Sequence, residues 1–388
     1  MAISKMRARP SVLVLAVVIL AYAGSAVGAD RLPVGVEELL AGAPLEVGEQ
    51  PPPVIDGAEV LAVSPAMAAF VAERVDRRAS DSIRFQQLAF AIINEASFGL
   101  EHDEATRTAA ETFRLRRGNC LSFSSLFVAL AREAGLSAGF QEVDIPPNWT
   151  MQNDAYILNR HVNVWIDLGP FGLHSVDFNV YDFRTGYERR PISDTRAVAH
   201  YFNNKGVAAM QAGDLAAALA FYRRAILDND GVFAPAWTNL GILYMRGGHA
   251  DHAEAAFLQA LAADRDHEVA MSNLVSLYDH QGDAERAELY RRKVARHRNQ
   301  NPYYRFHLAR EAFYARDYEA AISHLKFAVR RRRAEDQFCF LLGLSYLQLG
   351  DEKAARRWLA RAERLAATES LKRSYSDKID LLMAGSSR

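Results

Sequence analysis

Three residues of this chain have the types that thiol-based acyl chemistry needs: Cys120, His161 and Asp177. A thiol attacks as its anion, and the unpaired N–H groups at a helix N-terminus favour that anion. Cys120 stands just ahead of the apolar stripe Leu126, Phe127, Leu130 and Ala134, which Gly135 stops. A base must then reach the thiol, and a third group must orient the base. His161 and Asp177 lie on two alternating runs that read as a hairpin. If its turn centres on Gly169, residues whose numbers sum to 338 face each other, and His161 faces Asp177. Taken singly, each has an ordinary reading: packing for Cys120, strand surface for His161, a turn cap for Asp177. A metal site is a weaker reading. Structural zinc prefers four ligands, and His174 has the wrong strand parity to join Asp177. Neither a metal nor another cofactor is expected.

The elements that must position these groups are legible. Ser64-Pro65 starts a helix over residues 64–78, and further helices follow over 80–94 and 105–115. After the cysteine helix the pattern changes to strands over residues 138–145, 160–168 and 172–180. In the second of these, Val162, Val164, Ile166 and Leu168 share one face and His161, Asn163, Trp165 and Asp167 the other. Helices followed by an antiparallel sheet imply an α+β domain.

From residue 199 onward the sequence repeats. Alanine recurs at 218, 253, 287, 321 and 355, in steps of 35, 34, 34 and 34. Small residues keep the same register: Gly206, Gly241, Val275, Ala309 and Gly343 form one set, and Gly213, Gly248, Gly282, Arg316 and Gly350 another. That period means stacked helix-turn-helix units. Asn204, Asn239 and Asn273 occupy one place on the first helices of three successive units.

Composition bounds the rest. The chain has 388 residues, enough for two or three domains, and half of them are hydrophobic. Lys+Arg and Asp+Glu balance at 46 and 47, which argues against a nucleic-acid binder. Lys5, Arg7 and Arg9, an apolar run over residues 11–23 and a small-residue stretch over 24–29 read as a cleaved export signal, with the bacterial periplasm as destination. Membrane association is expected only if that segment stays attached. Two cysteines, Cys120 and Cys339, make no disulfide framework. The expected layout is a signal at 1–29, a Pro/Gly-rich linker or strap at 30–63, the α+β domain at 64–182, a connector at 183–198, five repeats at 199–368, and a capping helix and tail at 369–388.

Two resemblances sharpen these expectations. The run "RRGNCLSFSSLFVALAREAGLSAGF", followed by "HVNVWIDL" and "HSVDFNV", resembles the transglutaminase-like superfamily, a papain-like α+β fold. The resemblance implies Cys120 as nucleophile, His161 as base and acid, and Asp177 as the orienting carboxylate. One departure is that the aromatic residue after the histidine, Trp165, lies four positions on. The repeats resemble the tetratricopeptide family, most closely at Trp237, Leu240, Gly241, Tyr244, Ala253 and Phe257. That family implies an all-α solenoid binding a protein or peptide, with Asn204, Asn239 and Asn273 as an asparagine ladder to an extended backbone. The expected function is an exported thiol-dependent amide hydrolase or peptidase. A non-catalytic peptide-binding scaffold and a protein-glutamine acyl transferase are the alternatives.

Overall fold

The Ser64-Pro65 signal opens a helix as the sequence requires, with the Ser64 hydroxyl accepting from the Met67 N–H. The computed structural model describes residues 33–46, 54–93, 98–143, 149–152, 155–158, 161–178 and 189–366, with residues 372, 373, 375, 376 and 379. The expected signal segment, the closing tail and most of the capping helix lie outside the described residues. No helix among the described residues is long and apolar enough to cross a membrane.

Three short elements come first: α1 (Val36–Ala41), a 3-10 turn (Ala43–Leu45) and α2 (Gly57–Val60). The described part of this stretch, read above as a linker or extended strap, holds these helical turns and is anchored. Leu39 is fully buried, and its carbonyl accepts from the Tyr244 hydroxyl at 2.5 Å, inside the repeat array. Gly42, at positive φ, separates α1 from the 3-10 turn that holds Pro44.

The α+β part holds α3 (Pro65–Arg74), α4 (Asp81–Ile93), β1 (Glu101–His102), α5 (Ala109–Leu115), β2 (Arg117–Gly118), α6 (Cys120–Glu133) and β3 (Ser137–Val143). Then come β4 (Trp149–Gln152), β5 (Ala155–Leu158), β6 (His161–Asp167), β7 (Leu173–Val176) and β8 (Arg189–Ile192). The main sheet runs β7-β6-β3-β8, antiparallel throughout. β4 and β5 form a separate hairpin, and β1 and β2 a short parallel pair. Helix α6 covers the valine face of the sheet, where Val164 and Ile166 are fully buried. β8 falls in the stretch expected to be a connector. Its Pro191 hides the strand signal, yet proline is tolerated there because β8 is an edge strand.

Ten helices of the described residues make the array. They pair as α7 (Asp194–Gln211) with α8 (Leu215–Leu227), α9 (Ala234–Arg246) with α10 (Ala250–Ala263), and α11 (Glu268–Gln281) with α12 (Ala284–Gln300). The last pairs are α13 (Pro302–Tyr314) with α14 (Tyr318–Arg331) and α15 (Asp336–Gln348) with α16 (Glu352–Leu365). The recurring small residue on each first helix exists for close approach. A Cβ on Gly241 would come 2.5 Å from the Phe257 ring. In the third unit Val275 takes the glycine's place and Arg291 the aromatic's. Arg291 turns outward to Asp279 at 2.9 Å instead of packing inward. Just beyond, the hydrophobic core divides: one cluster runs from the strap and sheet to Val294, and a second begins at Ala309. Gly241→Leu should therefore destabilise the first cluster by about 1–3 kcal/mol through overpacking, read as a lowered urea midpoint.

Candidate functional site

Cys120 is the first residue of α6, and the turn ahead of it is tightly held. Asn119 caps the helix, its Oδ1 accepting from the Ser122 N–H at 3.0 Å while its Nδ2 donates to Thr106 Oγ1 at 2.7 Å. Ser122 Oγ also accepts from the Arg107 N–H at 2.9 Å. A Cβ on Gly118 would sit 2.6 Å from Ser122 Cβ, so only glycine fits there. One turn on, Ser124 Oγ donates to the Val162 carbonyl at 3.1 Å, tying the helix to β6 beside His161. Cys120 is half-buried and unpaired as a disulfide. At the first helical position its N–H has no intrahelical acceptor.

The structure brings Cys120, His161 and Asp177 together. His161 Nε2 lies 2.9 Å from Asp177 Oδ1 and 2.8 Å from Oδ2, and the Cys120 thiol is within hydrogen-bonding reach of the imidazole. Cys120 and His161 are each the first residue of their element, so this contact forms at the end of the sheet. The side chains of His161 and Asp177 are only 11% and 5% exposed. Burial pulls the imidazole toward its neutral form, but hydrogen bonds to Asp177 and Cys120, with their charges, outweigh it and push His161 up to about 9.

The hairpin register differs from expectation. Val164 pairs with Val176 and Trp165 with Ser175, so facing residues sum to 340, not 338. The Gly169–Phe171 turn lengthens the loop, and the Leu168 N–H donates to the Gly172 carbonyl at 3.1 Å. The shift is two residues, which keeps each side chain on its face. Continued past β7, the register puts Asn163 opposite Asp177 and leaves His161 on the diagonal.

Asn163 thus joins the cluster, its Nδ2 donating to Asp177 Oδ2 at 2.6 Å. Asp177 receives both donors on one rigid face, and Asn163 is 1% exposed. Asn163→Ala should cost about 1.5–3 kcal/mol of stability, the range for a hydrogen bond to a charged group, measurable by urea unfolding at neutral pH. The next residue, Phe178, packs its ring against Phe123 and Phe127 of α6, with centroids 5.4 and 5.9 Å away. It pins the carboxylate's strand to the cysteine's helix. Asn163 was visible in the sequence as the neighbour of His161 on the same strand face. Phe178 was visible as an apolar residue one place beyond the carboxylate.

The second cysteine is a different environment. Cys339 is fully buried in α15 and free, and burial pushes its thiol up to about 11. His174 points elsewhere, its Nε2 bonding the Phe171 carbonyl at 3.1 Å. Among the described residues no group of three or more His, Cys, Asp or Glu could hold a metal ion.

In the array, Asn239 Nδ2 donates to Asn203 Oδ1 at 2.8 Å, and Asn204 is half-buried. Asn273 Nδ2 donates to the Val269 carbonyl of its own helix at 3.0 Å.

Comparison with known proteins agrees with this architecture. A model of the transglutaminase-like superfamily matches residues 69–170. Tetratricopeptide-repeat models match residues 185–231, 209–272 and 306–370. The chain is a transglutaminase-like domain followed by tetratricopeptide repeats. The divergent stretch 273–305 falls between the matched repeats, where Arg291 and the divided core lie. No curated protein matches the chain significantly. Solved structures with partial similarity include a MamA protein, 16% identical over 43% of this chain and 91% of that one, TM-score 0.24. Others are BtubC from P. vanneervenii, 20% identical over 44% of this chain and 81% of that one, TM-score 0.26, and YrrB, described as a repeat protein with an unusual peptide-binding site. YrrB is 18% identical over 46% of this chain and 92% of its own, TM-score 0.24. Similarity of that size does not bear on what this chain binds.

Proposed function

We propose that the protein is an exported thiol-dependent amide hydrolase or peptidase, working through Cys120, His161 and Asp177, with repeats that bind a protein or peptide. One observation carries the reading: both Asp177 oxygens lie within 2.9 Å of His161 Nε2, and the Cys120 thiol is within hydrogen-bonding reach of the same imidazole. Cys120 Sγ attacks the amide carbonyl carbon, with the Cys120 N–H positioned to receive the developing oxyanion. The C–N bond then breaks as His161 protonates the departing amine, leaving a thioester on Cys120. His161 next takes a proton from water, whose oxygen attacks the thioester carbon. The carboxylate departs and the thiol is restored. Asp177 holds the ring and its charge throughout, and Asn163 holds Asp177. Water is the default acceptor, and Cys120 is only half-buried. The basic and apolar N-terminal segment supports delivery to a bacterial periplasm.

A peptidyl chloromethyl ketone tests the reading. It should alkylate Cys120 and leave Cys339 untouched, as mapped by mass spectrometry of the digested protein. Modification of neither cysteine, or of Cys339 alone in the folded protein, contradicts it.

A further inference from the structure

The inner side of the repeat array is already occupied by the chain itself. First helices of neighbouring units touch each other, α7 with α9, α9 with α11 and α13 with α15, so they line the short side of the stack. Strand β5, from the other domain, lies against α11 and α9.

The burial of those two helices fits an occupied face. On α11, Val269, Ser272, Asn273 and Ser276 follow the i, i+3, i+4, i+7 spacing of one helix face. They lie away from Leu274, Leu277 and Tyr278, which pack into the array. Val269, Ser272 and Asn273 are nonetheless buried and Ser276 half-buried. On α9 the equivalent residues, Pro235, Thr238, Asn239 and Ile242, are all buried. On α13 the same places are Tyr303, Phe306, His307 and Arg310, and on α15 Gln337, Phe340, Leu341 and Leu344. None of these eight is buried. Polar side chains such as Ser272 and Thr238 are not buried on an open groove. The stripe on α9 and α11 is also uncharged, which suits a neutral extended backbone and not an anion.

We infer that the inner face of the second and third units is a binding site for an extended peptide segment whose strand residues are uncharged, and that the β4–β5 hairpin is its resident ligand. An external strand-forming segment binds there only by displacing the hairpin. An extended segment on this stripe would set its main-chain groups against hydroxyl and amide side chains spaced one helical turn apart, so recognition would need extended backbone more than a particular sequence.

Val143 and His161 pair directly across β3 and β6, so residues 144–160 can be replaced by a short Asn-Gly turn without altering either strand. A fluorescein-labelled synthetic peptide of residues 149–158 is the probe. It should bind the replaced full-length chain about ten-fold or more tightly than the intact chain, whose site is open only a minor fraction of the time. Equal binding to both chains overturns the inference, as does no binding to a replaced chain that keeps its helical circular dichroism. A second variant leaves the hairpin sequence intact: Ser272→Trp fills the stripe and should speed deuterium uptake across residues 149–158. Unchanged uptake there overturns the inference equally. Neither readout involves Cys120, so failure here leaves the thiol reading standing, and failure of the thiol reading leaves this one standing.

Discussion

Cys120→Ala should abolish amide hydrolysis, and His161→Ala should lower it by about 10²–10⁴-fold, the usual contribution of a positioned acid and base. The two losses have different causes. Without Sγ there is no thioester, and nothing else at the head of α6 can form one. Without His161 the thiol survives, but its proton has no acceptor and the leaving amine no donor. Non-additivity is the sharper expectation: the double variant should be no slower than Cys120→Ala alone, because the two groups act as one unit. Steady-state rates on a peptide amide, with folding checked by circular dichroism, decide the matter. Independent, multiplying losses would mean that the two residues do not act in one step.

The second large effect is on pH behaviour. His161 should keep its proton until about pH 9, well above its ordinary 6.5. A folded-state value raised in this way contributes stability in full below pH 6.5, and that contribution is lost as pH rises through about 9. Its size is on the order of 3 kcal/mol, from the displacement of the titration alone. Asp177→Asn removes the charge that outweighs burial, so the midpoint should fall toward or below the ordinary value. The same variant should flatten the loss of stability between neutral pH and pH 9. Imidazole resonances followed by NMR against pH measure the first, and urea unfolding at pH 6 and 9 the second. A wild-type His161 midpoint near 6.5 would mean that the pairing with Asp177 does not hold in solution.

Much of this was legible in residue patterns. The cysteine helix announced itself through Leu126, Phe127 and Leu130, all fully buried. The alternation of Val162, Val164 and Ile166 marked the face that α6 covers. A repeat of 34 could only be stacked helix pairs, and the glycine-to-aromatic contacts show why the spacing is kept. What escaped was set by backbone geometry that side-chain types do not record. The hairpin turn took two more residues than a tight turn would, moving Asn163, and not His161, opposite Asp177. The diagonal contact still forms because an even shift preserves strand parity. β8 was hidden by Pro191, whose missing N–H is harmless only at an edge, and edge position is a tertiary fact. The strap looked like a linker because its prolines break any period, yet Val34, Leu39 and Leu45 find buried places.

A covalent intermediate on Cys120 is the central expectation, and intact-protein mass spectrometry after rapid acid quench of a peptide-amide reaction tests it most directly. The expected result is a mass increase equal to the acyl fragment, mapped to the peptide containing Cys120 and absent from Cys120→Ala. Turnover with no adduct on Cys120, or an adduct carried by Cys339, would contradict it.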